Sequence, residues 1–130
     1  IMPSLVGSEM CIRDRYNAAF DCLPISLPAP VEPGTRHAYH LYTLLIDEQR
    51  CGISRDAFLD AMTAQNIGLG VHYLSIPEHP YYQQTFGWKP DDYPEAMKVG
   101  RQTVSLPLSA KLTSSDVDDV INAVSELLKA

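Results

Sequence analysis

The stretch that decides the fold is HAYHLYTLLIDEQRCGISRDAFLDAMTAQ, residues 37–65. Its first part, residues 37–47, places aromatic and apolar side chains on both faces of an extended chain, which predicts a buried central strand. A polar connection follows, and Ser54 is placed to cap a helix that begins at Arg55. Three apolar side chains then share one face of that helix: Phe58, Leu59 and Met62.

A second strand is predicted over residues 67–76, with the sequence IGLGVHYLSI. Asn66, just before it, suits the left-handed conformation that often ends a helix. Gly68 and Gly70 lie inside this strand pattern, where a glycine allows the close approach of another part of the chain.

The segment over residues 77–92 is predicted to be irregular, because it contains three prolines between its polar residues. Asp91 or Asp92 is a candidate cap for a helix with Pro94 in its first turn. The segment also holds a cluster of aromatic residues, which either stack on a base or sugar or anchor a long loop to the domain: Tyr81, Tyr82, Phe86 and Trp88.

The C-terminal third adds a short strand and the clearest helix of the chain. TVSLPL, residues 103–108, alternates as a strand does. Thr113 and Asp116 form a capping-box-like start to the helix, and its apolar stripe comprises Val117, Val120, Ile121, Val124, Leu127 and Leu128. The element order β-α-β-loop-α-β-α predicts an α+β fold with a small, mainly antiparallel sheet and helices packed on one face.

The N-terminal stretch SLVGSEMCIRDR, residues 4–15, lacks the basic start, apolar run and cleavage site of a secretory signal. A weakly amphipathic helix and a disordered extension are both compatible with it. It is best explained as a translated transposon-type sequencing adapter, which matches every residue over 5–14 and permits Arg15. On this hypothesis residues 1–15 are non-native, disordered and packed against nothing specific, and the biological sequence starts near Tyr16.

Composition restricts the class of protein. The net charge is −6 with lysine and arginine dispersed, which argues against nucleic-acid binding. No apolar run reaches the roughly 18 residues that a membrane span needs. Cys22 and Cys51 lack zinc-binding spacing and are expected to be reduced thiols of a cytoplasmic protein, while Cys11 belongs to the adapter-like stretch.

The histidines are the first candidates for chemistry. His37 and His40 are three residues apart in a predicted strand, on opposite faces, so no metal site is expected there. His72 lies beside Tyr73 where a glycine-containing strand enters an irregular loop, a place where binding sites are often built. From the residues alone, His72 is either a site residue or a half-buried histidine held by a hydrogen bond.

Several segments together resemble the C-terminal small domain of the DegT/DnrJ/EryC1/StrS sugar aminotransferases. They are the stretch over 37–76, YYQQTF over 81–86, and VSLPLSAKLTSSDVDDVINAV over 104–124. The motifs RCGISRD and HY…YY look like the branch that forms UDP-4-amino-4-deoxy-L-arabinose. Pro77, however, lies where relatives of that branch often place a second histidine.

The resemblance implies the small domain of a pyridoxal-phosphate-dependent enzyme of the aspartate-aminotransferase fold. Such an enzyme is a homodimer that transfers an amino group from glutamate to a keto group of a nucleotide-linked sugar. Residues 16–36 would be a proline-rich connector from a large domain, and residues 37–130 the small domain.

The resemblance assigns His72 and Tyr73 to substrate binding, and it assigns no catalytic, cofactor-binding or metal-binding residue to this chain. The Schiff-base lysine belongs to the large domain, so the chain alone is expected to be inactive and to bind no pyridoxal phosphate. Four lysines lie outside any matching motif: Lys89, Lys98, Lys111 and Lys129. The alternative is a free-standing α+β module that binds or senses a small molecule without catalysis.

Overall fold

A computed structural model describes residues 5–128, with side chains described from residue 9 onward. This part of the chain contains six helices and two strands. In chain order they are α1 (Leu5–Phe20), β1 (Tyr42–Leu45), α2 (Glu48–Cys51), α3 (Arg55–Ala64), α4 (Pro80–Phe86), α5 (Pro94–Gln102), β2 (Thr103–Leu106) and α6 (Ser114–Leu128). Short 3₁₀ turns cover Ile76–Glu78 and Pro90–Asp92. None of the helices described is long and apolar enough to cross a bilayer.

The sheet is small and antiparallel. β1 pairs with β2 so that Tyr42 lies opposite Leu106. Two extended segments flank the pair through single bridges, one between Ser26 and Leu45 and the other between Gly70 and Ser105. The predicted α+β class is therefore confirmed.

The core lies between β1, β2 and the helices α1, α3 and α6. Its largest fully buried side chains come from all of these elements, and they include Tyr16, Phe20, Tyr42, Leu44, Ile46, Phe58, Met62, Val104, Val117 and Val124. The alternating burial along β1 and the apolar stripe of α6 thus meet in one cluster.

The predicted start and end of α3 and the predicted start of α6 are confirmed. Ser54 Oγ accepts a hydrogen bond of 3.2 Å from the Ala57 amide at the start of α3. Thr113 and Asp116 bond reciprocally, because Thr113 Oγ1 accepts from the Asp116 amide while the Asp116 carboxylate accepts from the Thr113 amide. Asn66, past the end of α3, has a φ of 61°.

The first predicted strand is shorter than its pattern. Residues 37–41 are not part of β1 because Tyr39 adopts a φ of 51°, which interrupts an extended chain. The imidazole Nδ1 of His37 accepts a hydrogen bond from the Tyr39 amide at 2.8 Å, which closes a local turn.

The second predicted strand is paired only at Gly70, and residues 71–75 are not strand. The chain leaves the sheet there to pack against α5. Ser75 is buried and its hydroxyl donates to the Ala96 carbonyl, while Gly100 has no side chain that would collide with Ser75. Sequence periodicity does not report such a contact between distant segments.

The segment predicted to be irregular contains α4, and this prediction is wrong over residues 80–86. Pro80 takes the first helical position, where a missing amide hydrogen is harmless, and Gly87 ends the helix with a φ of 66°. The expected caps of α5 are also wrong. Asp91 and Asp92 lie in a 3₁₀ turn, and Tyr93 precedes α5 without a side-chain cap.

The predicted disorder of residues 1–15 is wrong from Leu5 onward, and residues 1–4 lie outside the described part. Residues 5–15 form the first turns of α1. Ile12 is 7% exposed and lies one and two turns before Tyr16 and Phe20, on the face that packs on the core. The adapter origin of these residues stays a prediction.

Two arginines also tie this stretch to the domain. Arg13 is buried, donates to the Ala29 carbonyl at 3.3 Å, and has its guanidinium 4.9 Å from the centre of the Tyr39 ring. Arg15 forms an ion pair of 2.5 Å with Asp118 of α6. The expectation that the stretch packs against nothing specific is therefore also wrong.

Candidate functional site

His72 follows the edge of the sheet, two residues after the bridge at Gly70. Gly70 and Ser105 exchange both backbone hydrogen bonds, at 3.1 and 2.7 Å, so they lie directly opposite each other. His72 is half-buried, and its Nδ1 lies 2.9 Å from the Ser105 hydroxyl oxygen. β2 therefore supplies the group that holds the imidazole.

Gly70 provides the space for this ring. A Cβ atom at residue 70 would lie 2.5 Å from Cε1 of His72 and 3.1 Å from its Nδ1. The imidazole thus lies directly over the glycine, and a larger residue would displace it. Gly70, which was predicted to allow a close approach, is approached both by the ring of His72 and by the backbone of Ser105.

Tyr73 projects from the surface beside His72. Its side chain is 74% exposed, and its ring meets the His72 ring edge-to-face with centroids 4.9 Å apart. The peptide bond between the two residues is cis. An open cavity of about 450 Å³ lies next to them, lined by Val71, Tyr73, Leu74 and His79.

This edge combines an imidazole, a phenol and apolar surface within one exposed region. Imidazole and phenol groups can donate hydrogen bonds to sugar or phosphate oxygens, and an aromatic ring can cover the apolar face of a sugar. Both residues assigned to substrate binding from the sequence, His72 and Tyr73, thus lie where a ligand could reach them. Their role in binding remains a proposal.

The other histidines do not gather into a site. His37, His40 and His79 are exposed. Within residues 5–128, no group of three or more histidine, cysteine, aspartate or glutamate side chains could hold a metal ion.

The aromatic residues of the 80–93 region stack mainly on one another. The ring centroid of Tyr82 lies 5.9 Å from that of Phe86 and 5.6 Å from that of Trp88, and the centroid of Tyr93 lies 5.5 Å from that of Trp88. These contacts lie within residues 80–93, so they hold the segment together internally. Phe86 nevertheless leaves 57% of its surface exposed.

A charged depression of about 720 Å³ lies between α2, α3 and α5. Arg55 is its best-buried cation, with a side chain 10% exposed. The guanidinium donates to the carbonyls of Gly100 and Thr103, at 3.2 Å each, and pairs with Asp56. Arg55 therefore joins the start of α3 to the junction of α5 with β2, a role that motif reading alone did not reveal.

The three cysteines are free, and Cys11 and Cys22 are exposed. Cys51 is partly buried, and its thiol donates to the Pro24 carbonyl at 3.1 Å. Burial raises the pKa of the Cys51 thiol. A thiol held protonated in this way is a poor nucleophile, so Cys51 serves the packing of the proline-rich segment.

The amino-acid sequence of this chain is similar to those of known proteins. The model of the DegT/DnrJ/EryC1/StrS aminotransferase family matches residues 5–125. Among curated proteins, the spore coat polysaccharide biosynthesis protein SpsC of Bacillus subtilis is 42% identical over 119 residues. The match covers 91% of this chain and 31% of SpsC.

Solved structures agree in fold over nearly the whole chain. Spr1654 of Streptococcus pneumoniae, described as a sugar aminotransferase, superposes in its apo form with a TM-score of 0.85 at 26% identity, covering 96% of this chain and 31% of Spr1654. Its PLP and PMP forms also match, with TM-scores of 0.82 and 0.84. DesV of S. venezuelae, solved with a ketimine intermediate, gives 0.76 at 28% identity, covering 92% of this chain and 31% of DesV.

The chain spans about a third of the length of these relatives. The family model nevertheless covers almost all of it, including α1 and the His72 edge. The predicted resemblance is confirmed: the chain belongs to the DegT/DnrJ/EryC1/StrS aminotransferase family.

Proposed function

We propose that this chain is the C-terminal part of a pyridoxal-phosphate-dependent aminotransferase that transfers an amino group from glutamate to a keto group of a nucleotide-linked sugar. The match of the aminotransferase family model to residues 5–125 carries the proposal. The similarity to Spr1654, which is known in PLP and PMP forms, supports the cofactor. The similarity to SpsC supports a role in polysaccharide biosynthesis.

Within that enzyme, His72 and Tyr73 are the proposed substrate contacts of this chain. His72 is held by Ser105 and Tyr73 is 74% exposed, so one group is oriented and the other is accessible. Together they offer hydrogen-bond donors and an aromatic face to a sugar nucleotide. The family resemblance also supports a homodimer located in the cytoplasm.

The proposal also includes that residues 5–128 supply no Schiff-base lysine. A Schiff-base lysine is usually desolvated or placed beside another cationic group, which lowers its pKa. Lys89, Lys98 and Lys111 are exposed, and Lys129 lies outside the described residues. We therefore propose that the chain alone does not turn over.

The test uses the complete reading frame that contains this chain, purified with pyridoxal phosphate. Steady-state kinetics are measured with glutamate and a series of nucleotide-linked keto sugars. We expect Tyr73→Phe and His72→Ala to raise the KM for the sugar about tenfold, the effect of one lost hydrogen bond to a charged group. The KM for glutamate should change little.

Tyr81→Phe is the matched control, because Tyr81 is also exposed but belongs to the aromatic cluster. It should leave both KM values unchanged. Absence of transamination with every keto sugar would refute the proposed activity. Unchanged sugar KM values in the two site variants would refute the assigned contacts, and a Schiff-base absorption band in the 130-residue chain alone would refute its inactivity.

A further inference from the structure

The bridge between Gly70 and Ser105 brings His72, two residues further along the chain, next to the Ser105 side chain. Gly70 and Ser105 lie directly opposite each other, so the face on which Ser105 projects is open at residue 70. Gly70 has no side chain, so the space opposite Ser105 is left for the ring of His72. This diagonal arrangement brings His72 Nδ1 to 2.9 Å from Ser105 Oγ.

The Ser105 hydroxyl has one hydrogen-bond partner in the described part of the chain. Ser105 is 5% exposed, and the contact with His72 Nδ1 is the only hydrogen bond of its side chain among residues 9–128. A buried hydroxyl hydrogen needs an acceptor, since leaving it unpaired costs free energy. Nδ1 must then accept, which places the proton of a neutral imidazole on Nε2.

We propose that Ser105 is the positioning residue for His72, fixing the ring over Gly70 and holding it in the Nε2–H form. Nε2 makes no hydrogen bond to the residues described, so it is left to donate to a ligand oxygen. The matching ligand atoms are hydrogen-bond acceptors, such as the phosphate or carbonyl oxygens of a sugar nucleotide. The ligand class rests on the proposed function, whereas the orientation of the imidazole does not.

The orientation is tested by NMR on the 130-residue chain labelled with ¹⁵N-histidine. Long-range ¹H–¹⁵N correlations distinguish the two neutral tautomers, and they are recorded at about pH 8.5, where histidine side chains are neutral. We expect His72 to be the Nε2–H form in the wild type. Ser105→Ala should raise its ratio of Nδ1–H to Nε2–H about five-fold, which corresponds to one neutral hydrogen bond.

Two further variants separate positioning from a general effect on folding. Ser105→Thr keeps a hydroxyl at this position of the strand, so His72 should retain its wild-type tautomer. Ser105→Cys places a weaker hydrogen-bond donor there, so the tautomer ratio of His72 should shift. His79, which is exposed, is the internal reference and should not change in any variant. An Nδ1–H form in the wild type, or an unchanged ratio in Ser105→Ala and Ser105→Cys, overturns the proposal.

Kinetics of the complete enzyme then distinguish this proposal from the proposed function. If Ser105 orients a substrate contact, Ser105→Ala raises the sugar KM with a smaller change in kcat, and Ser105→Thr restores it. If Ser105→Ala shifts the tautomer of His72 but leaves the sugar KM unchanged, the positioning role of Ser105 is confirmed and the substrate role of His72 is refuted.

Discussion

At the scale of single residues, the buried polar groups show how the domain is tied together. Tyr16 is fully buried, yet its hydroxyl donates to the Pro107 carbonyl at 2.9 Å. Tyr42 likewise donates to the side-chain oxygen of Asn17 at 2.8 Å. Both bonds join α1 to parts of the chain far away in sequence, so these tyrosines act as anchors as well as core residues.

Tyr16→Phe tests the first anchor. The variant leaves the Pro107 carbonyl without its partner, so we expect the free energy of unfolding at pH 7 to fall by about 1 kcal/mol. Burial also raises the pKa of Tyr16 to about 12. Because this folded-state pKa lies above the value of about 10 for an exposed tyrosine, the wild type loses stability as the pH rises from 10 to 12, and the variant loses less.

Urea denaturation at pH 7 and at about pH 10.5 measures both effects. Tyr81→Phe serves as the control, since its hydroxyl is on an exposed ring. Equal stability of Tyr16→Phe and the wild type at pH 7, with the same alkaline loss, would contradict the anchoring role.

At the scale of elements, local signals set where the helices begin and end. The start of α6 depends on the reciprocal bonds of Thr113 and Asp116, and α3 begins at the Ser54 cap. α4 lies between Pro80 and Gly87, in a segment that its three prolines led us to predict as irregular. A short helix such as α4, which has no buried residue, depends on its end residues because it buries little surface of its own.

Thr113→Ala removes one half of the capping box of α6. We expect it to lower the free energy of unfolding by about 1 kcal/mol. Hydrogen bonds from Thr113 lower the pKa of Asp116. The bonds between Thr113 and Asp116 therefore favour the ionised carboxylate, so the difference in stability between the two proteins shrinks as the pH falls through the lowered pKa of Asp116.

Thermal unfolding at pH 7 and at about pH 3 measures this prediction. Ser115→Ala is the matched control, since Ser115 is exposed and its side chain makes no hydrogen bond within the described residues. A loss of stability in Ser115→Ala equal to that in Thr113→Ala would show that the cap has no specific role.

At the scale of the whole molecule, α1 closes the core against α6. Ile12, Tyr16 and Phe20 bury one face of the helix, and Arg15 pairs with Asp118 at its edge. The stretch that resembles an adapter therefore contributes part of the hydrophobic core. Its weak helical pattern and internal Gly7 did not predict this, because burial against α6 outweighs local propensity.

Ile12→Ala tests whether that stretch is an integral part of the fold. We expect a loss of about 2 kcal/mol in the free energy of unfolding, as for other buried isoleucines cut to alanine. Met10→Ala is the control, since Met10 lies in the same helix but is 42% exposed. Urea denaturation that finds Ile12→Ala as stable as Met10→Ala would restore the expectation that these residues pack against nothing specific.

The sequence by itself determined the α+β class, the caps of α3 and α6, and the family. These follow from patterns within a few residues, or from motifs in a set order, which a single chain displays directly. His72 and Tyr73 were candidates on the same grounds.

Only the tertiary structure decided which residues surround His72 and Tyr73 and how the distant segments pack. Four contacts each join residues at least 25 positions apart: the bridge between Gly70 and Ser105, the hydrogen bond between Ser105 and His72, the burial of Ser75 against Gly100, and the packing of α1 against α6. Such contacts depend on how the elements pack in space, and their free energy comes from burial and pairing that no local periodicity records.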